Sequence, residues 1–401
     1  MVIQNVFERE AFYGAPIYHP LPVVLTRGEG VWLWDDQDKR YLDMMSSYSA
    51  VSCGHAHPRL TAALCKQANI LSLVSRAFYT KPLGRLLEKL CLLSDLEMGI
   101  IMNTGAEAVE TAIKAARRWG YRAKEIPKDK AEIIVVAGNF HGRTTTIVSF
   151  SDEPAYQADF GPLTPGFRLV PYGDVEALAQ AITPYTCAVL MEPIQGEAGI
   201  KTPPEGYLQK VQSLCKGHKV LLLLDEIQTG FGRTGKRFAF EHDGLKPDGL
   251  ILGKALGGGL FPVSAFLSTK NVLSLMTPGS HGSTFGGNPL GCCVALETLA
   301  LMEDERLSDH AAIMGEKFMK ALKEIHSPLI KEVRGKGLLI GIEIDASRAK
   351  ARAVCEGLMK RGVLTKETHE TVVRFAPPLI ITWQEIEFCL NSLKQTLNAL
   401  E

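Results

Sequence analysis

The chain has 401 residues, of which 46% are hydrophobic, and this length indicates two domains of a globular α/β protein. Its 44 Lys and Arg residues balance its 44 Asp and Glu residues, so no long-range field favours nucleic acid or an acidic membrane surface. Nine Cys residues without a C-x-x-C pair give no disulfide framework, and a reducing cytoplasm is the simplest location. We expect no targeting segment and no membrane span, because the N-terminus is partly acidic and the apolar runs are short.

The first part of the chain predicts a hairpin followed by two helices. Residues 31–43, VWLWDDQDKRYLD, have turn-forming residues at Asp35–Lys39. Residues 58–74 and 81–94 have the apolar spacing of helices. His55 and His57 lie between these segments, but a metal site is disfavoured because no Cys or acidic residue stands nearby at ligand spacing.

A short strand, IIMN, precedes the predicted helix TGAEAVETAIKAARRWGY. Free N–H groups and the positive end of the helix dipole make a helix start suitable for a phosphate, and Thr104, Gly105 and Ala106 leave room for one. An ordinary N-cap with Thr104 as the capping residue explains the pattern equally well.

Two further apolar strands end in residues that could bind a ligand. AEIIVVAG leads to Phe140, which could lie against a pyridine ring or belong to the core, and to Arg143, whose guanidinium suits a carboxylate. TCAVLME ends at Glu192. Because strands and helices alternate, we expect a mostly parallel sheet covered on both faces.

Asp225 and Lys254 follow the apolar strands Leu221–Leu224 and Gly249–Leu252. Ligands of open α/β sheets bind outside the carboxyl ends of the strands, so both charges should face one crevice. The amine could form an imine with an aldehyde cofactor while the carboxylate keeps a pyridinium nitrogen protonated, as pyridoxal phosphate chemistry requires. The alternative is a strand cap in solvent and the start of a turn.

The C-terminal third predicts a small α+β domain. A Gly-rich loop contains Ser283 and Thr284, whose hydroxyls suit a phosphate or a turn cap, and a long helix begins near 288. Helices are expected at 305–325, at 349–361 and from 383, with strands in IKEVRGKGLLIGIEID and VVRFAPPLI. We expect an N-terminal segment, 1–40, packed on the small domain, a large domain, 41–290, and the small domain, 291–401.

These stretches together resemble the fold-type I, pyridoxal-phosphate-dependent aminotransferases of class III, from about Tyr13 to Leu379. The resemblance is carried by the stretches YHPLPV, SSYSAVSCGHAHP, NTGAEAVETAIKAARRWGY, GNFHGRT, EPIQGEAGI, LLDEIQTGFGRTG, GKALGGG, GSTFGGNPL and VRFAPPL. It implies a seven-stranded, mostly parallel sheet covered by helices, a small α+β domain and pyridoxal 5'-phosphate as cofactor.

The resemblance also implies cofactor roles. Lys254 corresponds to the Schiff-base lysine and Asp225 to the partner of the pyridinium nitrogen. The other implied cofactor residues are Gln228 at the phenolic oxygen, Phe140 stacked on the ring, His141 beside it, Gly105 and Ala106 with Thr104 at the phosphate, and Ser283 and Thr284 at the phosphate of a neighbouring subunit. A homodimer with shared active sites follows. His141 stands where the animal members have Trp and is typical of bacterial ones.

The implied substrates are L-ornithine and 2-oxoglutarate. The substrate residues would be Arg143, which grips the distal carboxylate, Tyr18 and Tyr48 in the pocket, Glu192, and the pair Glu197 and Arg374, in which Glu197 neutralises Arg374 until an α-carboxylate arrives. The alternatives are an N-acetylornithine or 4-aminobutyrate aminotransferase, a pyridoxal-phosphate-dependent aminomutase, or an inactive binding paralogue.

Overall fold

The computed structural model describes residues 5–401. The expectation that no targeting segment is present concerns in part residues 1–4, which lie outside the described residues. No helix within 5–401 combines the length and the apolar composition that a bilayer crossing needs.

The described chain contains fifteen strands, fourteen α-helices and two short 3-10 helices, Ala239–His242 and Lys254–Gly257. The strands are β1 Leu25–Glu29, β2 Trp32–Asp35, β3 Arg40–Asp43, β4 Met98–Met102, β5 Glu132–Val136, β6 Phe167–Val170, β7 Thr186–Met191, β8 Leu221–Asp225, β9 Gly249–Leu252, β10 Ser264–Ser268, β11 Ile330–Lys336, β12 Leu339–Ile344, β13 Val363–Leu364, β14 Glu367–Thr368 and β15 Val372–Phe375. The helices are α1 Val6–Tyr13, α2 Ser46–Ser49, α3 Pro58–Ala68, α4 Lys81–Ser94, α5 Gly105–Arg122, α6 Thr145–Val148, α7 Pro154–Gln157, α8 Val175–Ala181, α9 Tyr207–Gly217, α10 Lys270–Leu273, α11 Pro289–Asp304, α12 Leu307–Lys323, α13 Ala351–Lys360 and α14 Trp383–Asn398.

The central sheet has seven strands in the order β4-β10-β9-β8-β7-β5-β6. β10 is antiparallel to both of its neighbours, and the other six strands run in one direction. Every residue of β7, β8 and β9 is buried, because these strands are apolar on both faces and helices cover the sheet on both sides. The predicted mostly parallel, seven-stranded sheet is therefore present.

Two smaller four-stranded sheets contain the terminal parts of the chain. The C-terminal sheet is antiparallel, in the order β11-β12-β15-β14. The hairpin of β2 and β3 forms as predicted, and β3 pairs in parallel with β13. Residues 25–43 therefore share a sheet with a C-terminal strand, while the division of the chain at residues 40 and 290 stays a prediction.

One predicted helix is too long, and several observed elements were not predicted. The helix expected at 58–74 ends at Ala68, and the apolar side chains that follow, Ile70, Leu71 and Leu73, are exposed rather than packed on a core. The strands β6 and β10 and the helix α8 were not predicted. β10, with the sequence SAFLS, is too short and too polar at its ends to stand out from the neighbouring Gly-rich loop.

Candidate active site

One edge of the central sheet assembles the candidate active site. The strands β4, β5, β7, β8 and β9 run in the same direction, so the residues that follow them meet at their carboxyl ends. A cavity of about 210 Å³ lies there. Its lining consists of Gly105, Ala106, Phe140, His141, Gly142, Glu192, Glu197, Asp225, Ile227, Gln228, Thr229 and Lys254.

Asp225, the last residue of β8, is buried and fixed by two hydrogen bonds. Its Oδ2 lies 2.6 Å from His141 Nδ1, and its Oδ1 accepts a hydrogen bond from Ile227 N at 3.0 Å. Burial lowers the pKa of His141, but the hydrogen bond and the charge of Asp225 outweigh burial and raise it above its ordinary value. The pair is therefore a fixed acid–imidazole unit on the wall of the cavity.

Lys254 lies two residues beyond the end of β9. β9 pairs with β8, and Asp225 at the end of β8 is the partner of Ile251, so both charged residues follow the same edge of the sheet. Its φ of 42° lies in the left-handed region, which is strained for a residue with a side chain and is concentrated at functional sites. Burial lowers the pKa of Lys254, against the opposing effect of Glu197 and Asp225. A larger fraction of the amine is consequently neutral than for an exposed lysine, and a neutral amine is nucleophilic and basic.

Glu192 joins the loops after β5 and β7. Its Oε1 accepts from Phe140 N at 2.9 Å and its Oε2 from Gly196 N at 3.2 Å. Burial raises the pKa of Glu192 to about 7. The carboxyl group thus holds Phe140, the aromatic wall of the cavity, in place.

The start of α5 forms the opposite end of the cavity. Thr104 and Glu107 form a capping box, while the first N–H groups of a helix have no partner inside the helix. A Cβ at Gly105 would lie 2.8 Å from the end of the Ile227 side chain, so glycine leaves the most room here. Gly105 and Ala106 line the cavity, and as the first residues of α5 they have N–H groups without a partner inside the helix, which suits an anion.

These groups fit pyridoxal phosphate. An amine, a carboxylate, an aromatic wall and free helical N–H groups surround one space, and the buried His141 Nε2 has no hydrogen-bond partner among the described residues. Gln228 also lines this space, and its Oε1 lies against Gly196, where a Cβ would be only 1.4 Å away.

A second group of charges borders the cavity at Glu197. Arg374 Nη1 lies 2.7 Å from Glu197 Oε1, and the Arg374 guanidinium carbon lies 4.7 Å from the centre of the Tyr48 ring. Burial raises the pKa of Glu197, but Arg374 and Lys254 outweigh burial and lower it overall. Arg374 Nε has no hydrogen-bond partner among the described residues, so this guanidinium retains an unused donor.

Comparison with known proteins identifies the family. The family model described as aminotransferase class-III matches residues 13–397. The chain belongs to the class III aminotransferases. This membership confirms the expected fold-type I fold, the enzyme class and the pyridoxal phosphate cofactor.

Individual class III relatives cover almost the whole chain. An ornithine aminotransferase of Brevibacillus brevis is 54% identical over 99% of this chain and 98% of its own. The structure of an ornithine aminotransferase from Toxoplasma gondii, with partial occupancy of PLP at its active site, has a TM-score of 0.97 at 42% identity, covering 98% of this chain and 93% of that chain. The structure of an acetylornithine aminotransferase from Elizabethkingia anophelis has a TM-score of 0.89 at 44% identity and covers 98% of both chains.

Seven of the site residues expected for a class III enzyme do not line this cavity: Thr104, Tyr48, Arg374, Arg143, Tyr18, Ser283 and Thr284. Thr104 caps α5, while Tyr48 and Arg374 lie beside Glu197 at the border of the cavity. Arg143 is exposed, with its guanidinium carbon 4.3 Å from the ring centre of Tyr156. Tyr18 is 80% exposed. Ser283 accepts a hydrogen bond from Asn103 Nδ2 at 3.1 Å, and Thr284 is exposed.

Sequence reasoning missed several residues near the cavity of this class III protein. Ile227 lines it opposite Gly105, Tyr156 contacts both Phe140 and Arg143, and the Thr368 hydroxyl donates to the carbonyl of Glu197. Ile227 follows Asp225 by two residues, so the strand-end rule could have indicated it. Tyr156 and Thr368 lie in segments with no local signal.

Proposed function

We propose that the protein is an ornithine δ-aminotransferase. It would transfer the δ-amino group of L-ornithine to 2-oxoglutarate by a ping-pong mechanism, giving glutamate 5-semialdehyde and glutamate. The semialdehyde cyclises to pyrroline-5-carboxylate. The observation that carries the proposal is the Glu197–Arg374 ion pair beneath Tyr48, next to the Lys254 cavity.

The cofactor and different residues of the chain have separate roles in the reaction. Bound pyridoxal phosphate supplies the electron sink for the carbon that loses its proton. The Lys254 amine would hold the cofactor and, when free, would take the proton from the δ-carbon of ornithine, because the end of β9 keeps it within reach. Asp225, oriented by His141, would keep the pyridinium nitrogen protonated, and Gly105 with Ala106 would bind the phosphate.

The ion pair explains how a single site accepts two substrates. Ornithine presents an uncharged methylene end, and with Glu197 paired to Arg374 no unpaired guanidinium faces this apolar chain; a buried unpaired charge would cost several kcal/mol. When 2-oxoglutarate enters, Arg374 turns from Glu197 to its α-carboxylate. Arg143 would bind the carboxylate at the far end of either substrate.

A homodimer with shared active sites is part of this proposal. Large apolar side chains near Ser283 and Thr284 in sequence, and in the segment before α4, are open to solvent: Phe78, Tyr79 and Phe285 are 63%, 101% and 53% exposed. Exposed apolar side chains of this size are candidates for burial in an interface. The hydroxyls of Ser283 and Thr284 would then reach the phosphate in the second subunit.

A cytoplasmic location is supported by the state of the cysteines. All nine are free, and Cys53, Cys187, Cys215, Cys292, Cys355 and Cys389 are buried. Unpaired thiols in this number fit a reducing compartment.

An N-acetylornithine aminotransferase is the second candidate, supported by the 44% identity to the Elizabethkingia enzyme of that name. The acetylated substrate needs room at its α-amino group, whereas free ornithine needs polar groups there. Tyr48, whose ring centre lies 4.7 Å from the Arg374 guanidinium carbon, is a polar group of this kind and favours free ornithine.

A donor panel tests the proposal. With 2-oxoglutarate as acceptor, we expect kcat/KM for ornithine to exceed that for N-acetylornithine, 4-aminobutyrate and lysine by about tenfold or more, the equivalent of about one lost contact of 1.4 kcal/mol. Preference for N-acetylornithine would overturn the substrate assignment, and turnover without consumption of 2-oxoglutarate would indicate an aminomutase. The Lys254→Ala variant should lose turnover and the visible absorbance of the bound cofactor.

A further inference from the structure

Arg233 is the largest fully buried side chain of the described chain, with 0% of its surface exposed. No carboxylate in residues 5–401 forms an ion pair with it, and Asp43 acts on its charge only from beyond ion-pair distance. Burial lowers its pKa to about 9. A guanidinium in such a place is costly unless hydrogen bonds satisfy it, so its partners indicate why it is there.

Four acceptors surround the Arg233 guanidinium. Nη1 donates to the carbonyl oxygens of Leu338 at 3.0 Å and Pro377 at 2.6 Å. Nη2 donates to the hydroxyls of Ser46 at 3.2 Å and Ser52 at 3.1 Å. We call Arg233 with these four residues the Arg233 cluster. Its members come from four separate stretches of chain, so the guanidinium joins segments that are distant in sequence.

Two of those stretches carry substrate residues of the proposed reaction. Ser46 and Ser52 flank Tyr48, and Pro377 lies three residues after Arg374. Direct bonds reinforce the link between them. The Ser46 hydroxyl donates to the carbonyl of Ala376 at 2.6 Å, and the backbone joins Ala376 N to Met44 O and Leu379 N to Ser52 O, each at 2.8 Å.

The segment that carries Tyr48 needs such support because its backbone is strained. α2 is a single left-handed turn of helix, in which Ser46, Ser47, Tyr48 and Ser49 have φ values of 41°, 49°, 58° and 74°. A side chain on Cβ makes this left-handed conformation unfavourable, and none of the four is glycine. A run of this kind persists only where its surroundings impose it, and the Ser46 and Ser52 bonds to Arg233 are part of those surroundings.

We propose that Arg233 is a positioning residue for substrate recognition, which holds the left-handed turn carrying Tyr48 against the end of β15 carrying Arg374. Arg233 touches neither substrate nor cofactor in this role. The 4.7 Å approach of the Arg374 guanidinium to the Tyr48 ring is the geometry that it maintains. This inference rests on the proposed function, because it assigns the two positioned side chains to the substrate.

The Arg233→Lys variant provides the main test. The four acceptors are shared between the two terminal nitrogens of the guanidinium, and the single ammonium group of lysine cannot reach all of them. The Tyr48 turn and the Arg374 strand therefore lose their common anchor. We expect KM for ornithine and KM for 2-oxoglutarate to rise about tenfold each, which corresponds to the loss of one substrate contact. Cofactor affinity and the absorbance of the bound cofactor should stay unchanged, since Lys254, Asp225 and Gly105 lie on other elements.

Two further variants separate positioning from stability. Ser52→Ala removes one acceptor of Arg233 and should raise both KM values about threefold, and it keeps the proposal testable if Arg233→Lys does not fold. Leu397→Ala, in the buried face of α14, serves as a control that lowers the melting temperature without changing KM. Unchanged KM values in folded Arg233→Lys and Ser52→Ala would overturn the inference, as would loss of cofactor binding in place of the KM change.

The proposed function is judged separately, on the wild-type enzyme. If the wild type prefers another donor in the panel, the substrate assignment fails. The KM of the preferred donor then replaces that of ornithine in the Arg233 measurements, and the positioning role stands or fails on those values.

Discussion

Individual charged residues near the cavity differ in what surrounds them. Asp225 is fixed by His141 at 2.6 Å. Glu197 is buried, but Arg374 at 2.7 Å and the charge of Lys254 outweigh burial and lower its pKa. Within residues 5–401, Lys254 forms no ion pair, and burial lowers its pKa. The carboxylates are therefore held by close partners, whereas the Lys254 amine is left reactive.

His242 gives a prediction at the same scale, on the pH dependence of stability. Burial and the charge of Lys336 lower the pKa of His242 to about 4, and its Nε2 lies 3.1 Å from the Thr234 carbonyl oxygen. Between pH 6.5 and 4 the unfolded chain binds a proton here that the folded chain does not. The stability associated with neutral His242 is therefore fully present above pH 6.5 and is lost as the pH falls.

We expect the difference in melting temperature between wild type and His242→Gln to be largest near pH 8 and to shrink toward pH 5. Thermal unfolding of both proteins across this range provides the measurement. A difference that grows as the pH falls would contradict the assignment of a neutral, buried imidazole.

At the scale of elements, the strand ends of the central sheet explain what the sequence could predict. Asp225, Glu192 and Lys254 each end an apolar run, so local patterns alone indicated that they share an edge. The small residues at the start of α5 were visible for the same reason. The roles of these residues came from the family resemblance, because spacing cannot distinguish a cofactor lysine from a strand cap.

Other elements could not be predicted because their cause is tertiary. The left-handed turn of α2 has no glycine to signal it and depends on Arg233, which lies 187 positions from Ser46. The prediction that α3 continues to residue 74 was wrong for a different reason, since here the local pattern was present but the packing was not. Ile70, Leu71 and Leu73 have apolar spacing but are exposed in the single chain, and periodicity cannot tell a face that packs on a core from a face available to a partner.

Glycines in two helices give opposite predictions from the same substitution. A Cβ on Gly315 in α12 would lie 2.2 Å from the carbonyl carbon and oxygen of Gly337, in the turn between β11 and β12. A Cβ on Gly84 in α4 would meet nothing within 4 Å. Alanine favours a helix over glycine by roughly 0.5–1 kcal/mol, whereas a forced backbone contact costs about 1–3 kcal/mol.

Gly315→Ala should therefore lower the free energy of unfolding, and Gly84→Ala should raise it by about 0.5 kcal/mol or more. Denaturant titration of the two variants beside the wild type measures both changes. Stabilisation by Gly315→Ala would show that the turn of Gly337 yields without cost, contrary to the close backbone contact.

At the scale of the whole molecule, a single chain leaves parts of the proposed site unused. Ser283 and Thr284 do not line the Lys254 cavity of their own chain, and the apolar side chains of Phe78, Tyr79 and Phe285 are open to solvent. A two-fold symmetric dimer would cover the apolar residues and bring each hydroxyl pair to the other subunit's cavity, because both copies present the same surface. Each site would then need two chains.

Hybrid dimers test this arrangement directly. A chain with Lys254→Ala and a differently tagged chain with Ser283→Ala and Thr284→Ala are each expected to give weakly active or inactive homodimers. In a purified heterodimer, one site combines Lys254 of the second chain with the intact hydroxyls of the first, so about half of the wild-type specific activity should return.

As a control, pairing Lys254→Ala with Asp225→Ala leaves both sites defective, because these two residues line the same cavity of one chain. Recovery in neither heterodimer would refute shared sites, and recovery in both would show that Lys254 and Asp225 act from different chains.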